Sequence, residues 1–241
     1  MTRPRSETTS TDEPDPFAKA RGRMVDRQLR RRGIQDERVL AAMAEVPRER
    51  FVPPEARADA YRDGALAIGE GQTISQPWIV ACMTTLLELR GDERVLEVGT
   101  GSGYGAAVLS RCCREVISIE RHAALAESAR EVLGELGYAN VEVRTGDGTR
   151  GAPDRAPFQG ISVTATAAGG PPQALFDQLV PGAALVCPVR RRGDEYLMRF
   201  RDDREEQVAP VRFVPLVGME LDGEPPGSDG GRPQQQPSPG A

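Results

Sequence analysis

The sequence has few of the side chains on which many enzymes depend. Among its 31 basic residues there is a single lysine, Lys19, and the chain has a single histidine, His122. Schiff-base, pyridoxal and Walker-type phosphate-loop chemistry would all have to use Lys19, which lies beside a polar tail. Zinc proteases of the HExxH type need two histidines. These classes are excluded, and a serine or cysteine hydrolase would have to rely on His122 as its base.

The cysteines are also sparse. Four occur, and none forms a C-x-x-C pair: Cys82, Cys112, Cys113 and Cys187. This pattern does not predict a structural zinc site, and we expect no metal. Four cysteines in 241 residues do not form a disulfide scaffold either, so we expect a reducing cytoplasm as the location.

Two kinds of partner are also disfavoured. The net charge of −5 at pH 7 argues against nucleic acid, which requires neutralisation of phosphates. A cluster of arginines over residues 21–32 is interpreted as a solvated helix surface. No apolar run approaches the roughly 18 residues that span a bilayer, and the first twenty residues lack the apolar stretch of a signal peptide. We therefore expect a soluble protein without a membrane partner.

The ends of the chain differ from its middle. Residues 1–16 and 221–241 are polar and interrupted by proline or glycine, so we expect disordered tails. A single domain is predicted over residues 17–220. It divides into a helical first part (17–90), an alternating core (91–190) and final strands (191–220).

Hydrophobic periodicity predicts the elements of that domain. Residues 51–76 are dominated by loop signals. Helices are expected over residues 36–46, 77–87, 102–113, 123–137 and 171–180. Strands are expected over residues 93–99, 115–120, 141–147, 161–167, 183–189, 195–200 and 208–217. Strands separated by helices imply right-handed crossovers, and so a doubly wound, Rossmann-like α/β sheet with a helical N-terminal extension.

A glycine-rich turn follows the first strand of the core. It reads Glu97-Val98-Gly99-Thr100-Gly101-Ser102-Gly103-Tyr104. Glycines allow a sharp turn and let a ligand approach the main chain closely. Glu120 ends the next strand, where an acid accepts the hydroxyls of a ribose, and Asp147 ends the third, near an adenine. Three such features on successive strands predict a nucleotide site.

The spacing of the turn distinguishes between nucleotides. It is G-x-G-x-G rather than the dinucleotide pattern G-x-G-x-x-G. Glu97 would repel a pyrophosphate but attract an ammonium group. S-adenosylmethionine, which has adenine, ribose and an amino-acid arm, fits better than NAD. The pattern resembles that of Rossmann-like class I methyltransferases.

A second motif is more specific. Gly71-Gln72-Thr73-Ile74-Ser75-Gln76-Pro77, together with VLEVGTGSGY, GDGTRGAPDRAPF and RFVPL, is similar to protein-L-isoaspartate O-methyltransferases. The similarity runs in order from Met24 to Leu216. It implies methyl transfer from S-adenosylmethionine to the free carboxylate of L-isoaspartyl residues in damaged proteins. The ester then closes to a succinimide that hydrolyses partly to normal aspartate. S-adenosylhomocysteine would be the product, and we expect a monomer.

The resemblance also implies roles for residues. Ser75 and Thr73 would be catalytic, Ser75 by orienting the acceptor carboxylate through its hydroxyl. Residues implied to bind the cofactor are Ile74, Glu97, Gly99, Thr100, Gly101, Ser102, Gly103, Glu120, Arg121, Asp147 and Gly148. Taken by itself, Ser75 is better interpreted as a cap of the helix that begins at Pro77; the accompanying motifs favour a functional hydroxyl instead.

Departures from the family pattern keep two alternatives open. Ala152, Gln159 and a long glycine-rich segment at 163–172 differ from the usual sequence, and the altered segment raises the question of a different acceptor. One alternative is methylation of ordinary aspartate in a dedicated peptide, giving an aspartimide. The other, suggested by the polar tails, is a non-catalytic protein that binds S-adenosylmethionine or another protein.

Overall fold

Short aliphatic and β-branched runs form the strands in the computed structural model, which describes residues 15–218. The strands are β1 (Leu66–Gly69), β2 (Gln72–Ile74), β3 (Arg94–Val98), β4 (Glu115–Glu120), β5 (Val141–Thr145), β6 (Phe158–Val163), β7 (Ala167–Ala168), β8 (Leu179–Arg191), β9 (Asp194–Arg201) and β10 (Arg204–Pro210).

Helices precede the central sheet and connect its strands. They are α1 (Ala18–Met24), α2 (Glu37–Glu45), α3 (Pro77–Leu86), α4 (Tyr104–Ser110), α5 (Ala123–Glu135) and α6 (Gln173–Phe176). After α1 the chain continues through a π-helical turn, Val25–Leu29, and a 3-10 turn, Arg30–Arg32. Asp36 caps α2, because its carboxylate accepts hydrogen bonds from the amides of Arg38 and Val39.

The strand order places the ligand-binding edge. In the main sheet the order is β10-β9-β8-β6-β3-β4-β5, with β7 paired to β8. β3 pairs in parallel with both β4 and β6, so the winding reverses direction at β3. In sheets of this kind ligands bind at the carboxyl ends of the strands beside the reversal. β9 and β10 add antiparallel strands at one edge.

Alternate residues of the strands enter two separate cores. Val95 and Val116 face the larger core, which contains the N-terminal helices together with α3, α4 and α5. Leu96 and Ile117 face the opposite core, which includes Leu175 of α6. This period-two alternation is the one expected for a sheet covered on both faces. The predicted doubly wound α/β fold with helices before the sheet is confirmed.

Two predicted elements near the C-terminus are wrong in extent. The helix expected over residues 171–180 is only the four residues of α6, because Leu179 already pairs with Phe158 of β6. The strand expected over residues 208–217 ends at Pro210. Beyond it the chain crosses towards Thr166, whose amide donates to the carbonyl oxygen of Val214 over 2.7 Å, and pairs there instead.

The region expected to be loop contains a hairpin. β1 and β2 pair antiparallel across a turn at Glu70 and Gly71, both with positive φ, which alternation over so short a run did not reveal. Residues 1–14 and 219–241, which include most of the predicted tails, lie outside the described residues. Asp15, placed in the predicted tail, accepts a hydrogen bond from the amide of Phe17. Over residues 15–218, none of the helices is both long and apolar enough to span a membrane.

Candidate active site

The glycine turn between β3 and α4 has a conformation that few other residues tolerate. Gly99, Gly101 and Gly103 have φ values of 97°, 54° and 87°. A Cβ at Gly99 would lie 2.2 Å from Oγ1 of Thr164. That hydroxyl donates to the carbonyl oxygen of Gly99 over 2.7 Å, so the end of β6 holds the turn in place. The close approach therefore requires glycine at position 99.

A cleft of about 440 Å³ opens at this edge of the sheet. Its floor is formed by the turn and by the ends of β3, β4 and β6. The hairpin and α3 supply one wall, and the segment after β10 supplies another. The lining residues include Thr73, Ile74, Ser75, Val80, Met83, Thr84, Glu97, Gly99, Thr100, Gly101, Ser102, Tyr104, Glu120, Arg121, His122, Gly148, Thr164 and the segment 213–217.

Glu97 places a carboxyl group at the bottom of the cleft. Its side chain is 1% exposed, and the hydroxyl of Ser118 donates to its Oε2 over 2.5 Å. Burial, reinforced by the nearby charge of Glu120, raises the pKa of Glu97 to about 8. A Cβ at position 105 would lie 2.4 Å from Oε1, so Gly105 leaves room for this side chain. A cationic ligand group would stabilise the ionised form of Glu97.

Glu120 is held at the end of β4 by main-chain amides. Gly101 donates to its Oε2 over 2.8 Å, and His122 donates to its Oε1 over 2.9 Å. A carboxylate oxygen can accept two hydrogen bonds, so Glu120 keeps acceptor capacity for ligand hydroxyls. Arg121, which follows it, is exposed at the rim of the cleft.

Asp147 and Gly103 are the predicted site residues that do not line the cleft. Asp147 caps the 3-10 turn Gly148–Arg150, accepting from the amide and the hydroxyl of Thr149 over 2.9 and 2.7 Å. Gly148 does line the cleft, and a Cβ there would lie 2.5 Å from Cγ1 of Val98. Gly103 is buried at the start of α4.

The segment that follows β2 brings its residues to the opposite wall. Thr73, Ile74 and Ser75 all line the cleft. The structure does not support the interpretation of Ser75 as the cap of α3. The N-cap residue of this helix is Gln76, and no side chain makes a capping hydrogen bond there. The Ser75 hydroxyl therefore does not cap this helix.

Sequence reasoning missed the segment Phe213–Val217 as part of the site. It was expected to be a strand, yet all five of its residues line the cleft. The available signal was that this apolar segment follows the polar strand β10. His122 also lines the cleft, with its Nδ1 3.9 Å from Oε2 of Glu70 in the turn between β1 and β2.

Two departures from the family pattern lie away from the site. Ala152 is buried in the core that contains α6, and its amide donates to Gln178 over 2.8 Å. Gln159 accepts from the amide of Arg94 over 2.8 Å, at the opposite end of β3 from the cleft. Neither residue lines the cleft. Of the glycine-rich segment, Thr164 and Ala165 do.

Metal-ligating side chains are not grouped in the described part of the chain. Within residues 15–218, no set of three or more histidine, cysteine, aspartate or glutamate side chains is arranged to hold an ion. The four cysteines are all buried and free of disulfides.

The doubly wound sheet, the glycine turn after its first core strand and the acid that ends the next strand define a class I methyltransferase fold. The family model of protein-L-isoaspartate(D-aspartate) O-methyltransferases matches residues 20–221. The chain belongs to this family.

Relatives and solved structures agree with that assignment. Protein-L-isoaspartate O-methyltransferase 1 of Rhodopseudomonas palustris (strain HaA2) is 52% identical over 218 residues, which cover 87% of this chain and 88% of the relative. The enzyme of Methanoregula boonei is 52% identical over 209 residues, covering 85% and 96%. A solved protein-L-isoaspartate O-methyltransferase superimposes with a TM-score of 0.72 at 31% identity, covering 82% of this chain and 66% of that one.

Proposed function

We propose that this chain methylates the free carboxylate of L-isoaspartyl residues in damaged proteins and peptides, with S-adenosyl-L-methionine as the methyl donor. The observation that carries this function is that Ser75 and the acids Glu97 and Glu120 line one cleft. A residue with a hydroxyl for the acceptor thus lines the same space as the groups suited to a cationic adenosyl donor.

The residues of the cleft floor fit this donor. Glu97 would accept from its ammonium group, and Glu120 from the ribose hydroxyls. Gly99 and Gly101 of the turn line the cleft beside these acids. Gly148 would border the adenine, next to Asp147, which caps the turn that begins at Gly148. When bound, S-adenosylmethionine supplies an electrophilic methyl group, and S-adenosylhomocysteine remains after transfer. The reaction as proposed uses no metal.

The site must position the acceptor carboxylate but need not remove a proton from it. A carboxyl group with an ordinary pKa of about 4 is ionised at neutral pH, so no general base is required. The hydroxyl of Ser75 would donate to one carboxylate oxygen and leave the other free to attack, with Thr73 beside it. Holding both reactants in line converts a bimolecular step into a unimolecular one, which is a large effect.

The ester made in this way leads to repair. The backbone nitrogen of the following residue attacks the ester carbonyl, methanol leaves, and a succinimide forms. Water then opens the succinimide partly to normal aspartate and partly to isoaspartate, which re-enters the cycle. The enzyme is needed only for the methylation.

The test is methyl transfer from labelled S-adenosylmethionine to two peptides that differ only in having isoaspartate or aspartate at one position. We expect transfer to the isoaspartyl peptide alone. The Ser75→Ala variant should lose most of the turnover while its affinity for S-adenosylhomocysteine stays within about twofold, because its hydroxyl faces the acceptor.

Two results of that assay would count against the proposal. Transfer to the aspartyl peptide alone would favour a dedicated aspartate substrate. Transfer to neither peptide by the wild-type protein, with S-adenosylhomocysteine still bound, would favour a non-catalytic binding protein.

A further inference from the structure

Arg48 is an arginine buried without exposure to solvent. It lies in the 3-10 turn Arg48–Phe51 after α2, its relative exposure is 0%, and it is among the largest fully buried side chains of the described residues. Removing a guanidinium ion from water is costly unless its donors find acceptors in the protein. The hydrogen bonds that Arg48 makes therefore indicate what it stabilises.

The guanidinium group binds the main chain of two separate segments. Its Nε donates to the carbonyl oxygen of Ala60 over 2.7 Å. Its Nη2 donates to the carbonyl oxygen of Ser75 over 2.8 Å. The guanidinium carbon also lies 4.8 Å from the ring centroid of Tyr104, the first residue of α4.

These contacts join both sides of the cleft. Ser75 lies on the wall formed by the hairpin and α3, where the acceptor is proposed to bind. Tyr104 follows directly after the glycine turn, and both residues line the cleft. Arg48 itself does not line it, so its effect on bound molecules must pass through Ser75 and Tyr104. Its planar fork fixes the direction of two carbonyl groups at once, which the single ammonium group of a lysine does not do.

We propose that Arg48 is a positioning residue for methyl transfer. It holds the main chain of Ser75 against α4, so that the Ser75 hydroxyl meets the acceptor carboxylate at the methyl group of the bound donor. The inference rests on the proposed function. Because a misplacement of about 1 Å can cost on the order of 100-fold in rate, a residue outside the cleft can control turnover in this way.

The neighbouring charged residues have different contacts. Glu49 accepts from the hydroxyl of Tyr61 and lies 3.8 Å from Arg21, so it links the N-terminal helix to this turn. Arg50 is exposed and pairs with Glu135 of α5 over 2.8 Å. Arg50 is thus a matched control, since it has the same side chain in the same turn without a contact to the cleft.

The experiment compares Arg48→Met, Arg48→Lys and the control Arg50→Met with the wild-type protein. For each folded variant, we would measure kcat and KM with an isoaspartyl peptide, and the Kd of S-adenosylhomocysteine. We expect kcat to fall about 100-fold for Met and about tenfold for Lys, with Kd changed less than about threefold. Arg50→Met should stay within about twofold in both. Each assay is run below the melting temperature of the variant.

Hydrogen exchange of the peptide that contains Ser75 and Gln76 supplies a readout that needs no turnover. Its exchange should be faster in both Arg48 variants, with S-adenosylhomocysteine bound, and unchanged in Arg50→Met. If the wild-type protein methylates no isoaspartyl peptide, the proposed function fails, and exchange alone then decides for or against Arg48.

Several results would overturn the inference. They are a kcat within about twofold of wild type in either folded Arg48 variant, unchanged exchange at Ser75, or losses of kcat and cofactor affinity in equal proportion. Failure of both Arg48 variants to fold would assign Arg48 to the fold alone and would overturn it as well.

Discussion

The two sides of the cleft are built in different ways. The side proposed to bind the cofactor comes mainly from β3, the glycine turn and α4, with Glu97 through Tyr104 consecutive in sequence. Glu120 joins it from the end of the neighbouring strand, β4. The side proposed to bind the acceptor combines the segment at Ser75 with Phe213–Val217, more than a hundred residues later, and Arg48 donates a hydrogen bond to it at Ser75.

The difference shows what fixes the position of the residues on each side of the cleft. On the cofactor side, single positions are fixed by backbone conformation and close approach, as at Gly99. On the acceptor side, position depends on packing between distant segments, as in the bond from Arg48 to Ser75. Substitutions on the first side should therefore weaken cofactor binding, whereas those on the second should lower turnover.

The largest effect is expected for Gly99→Ala. The added Cβ would lie 2.2 Å from Oγ1 of Thr164, at a residue with φ of 97°. The turn must move, and the affinity for S-adenosylhomocysteine should fall by more than about 100-fold, as measured by isothermal titration calorimetry.

The variant Gly33→Ala is a control that has a similar backbone strain without the steric clash. Gly33 has a similar φ of 90° but nothing within 4 Å of an added Cβ. Gly33→Ala should lower stability by about 1–2 kcal/mol and leave cofactor affinity unchanged. Equal affinity losses in the two variants would show that the approach of Thr164 to Gly99 is not what the site requires.

A smaller effect is expected from the titration of Glu97. Its pKa in the free protein is raised to about 8 by burial, and a ligand ammonium group favours the ionised form. Affinity for S-adenosylhomocysteine should therefore rise about fivefold from pH 7 to pH 8, and about twofold more before it levels off near pH 9. Glu97→Gln should bind more weakly and lose this rise. An identical pH profile in the variant would remove Glu97 from the ammonium site.

The same group affects stability with the opposite sign. Because the folded pKa lies above the ordinary value of 4.5, the contribution of Glu97 is fully present below about pH 4.5 and is lost as the pH rises to about 8. The ligand-free protein should lose up to about 1.4 kcal/mol per pH unit across this window relative to Glu97→Gln. Urea unfolding at several pH values measures it.

Much of the cofactor side was predictable from sequence. The run Glu97–Tyr104 combines a strand, a turn and a helix within a few residues, and each has a local signal. Glu120 follows from the spacing of parallel strands, whose carboxyl ends share one edge. The structure adds that the carboxylate of Asp147 accepts a hydrogen bond within its own turn. Sequence spacing alone does not distinguish this contact from a contact with adenine.

The acceptor side was predictable only in part. Thr73–Ser75 could be placed because its sequence resembles that of a family, not because periodicity indicated a hairpin. Arg48 looked like one of many arginines, since burial is not visible in sequence and its partners are main-chain carbonyls. Phe213–Val217 was predicted to be a strand because apolar alternation does not reveal whether a segment pairs with the sheet or crosses a cleft.

The central claim is that the cofactor and the acceptor bind on two sides of one cleft. Its most direct test is a crystal structure of the protein with S-adenosylhomocysteine and an isoaspartyl peptide. We expect the isoaspartyl carboxylate within hydrogen-bond distance of the Ser75 hydroxyl, the ribose at Glu120 and the adenine at Gly148, beside Asp147. A carboxylate bound away from Thr73–Ser75, or a ribose away from Glu120, would show that the two sides do not act as proposed.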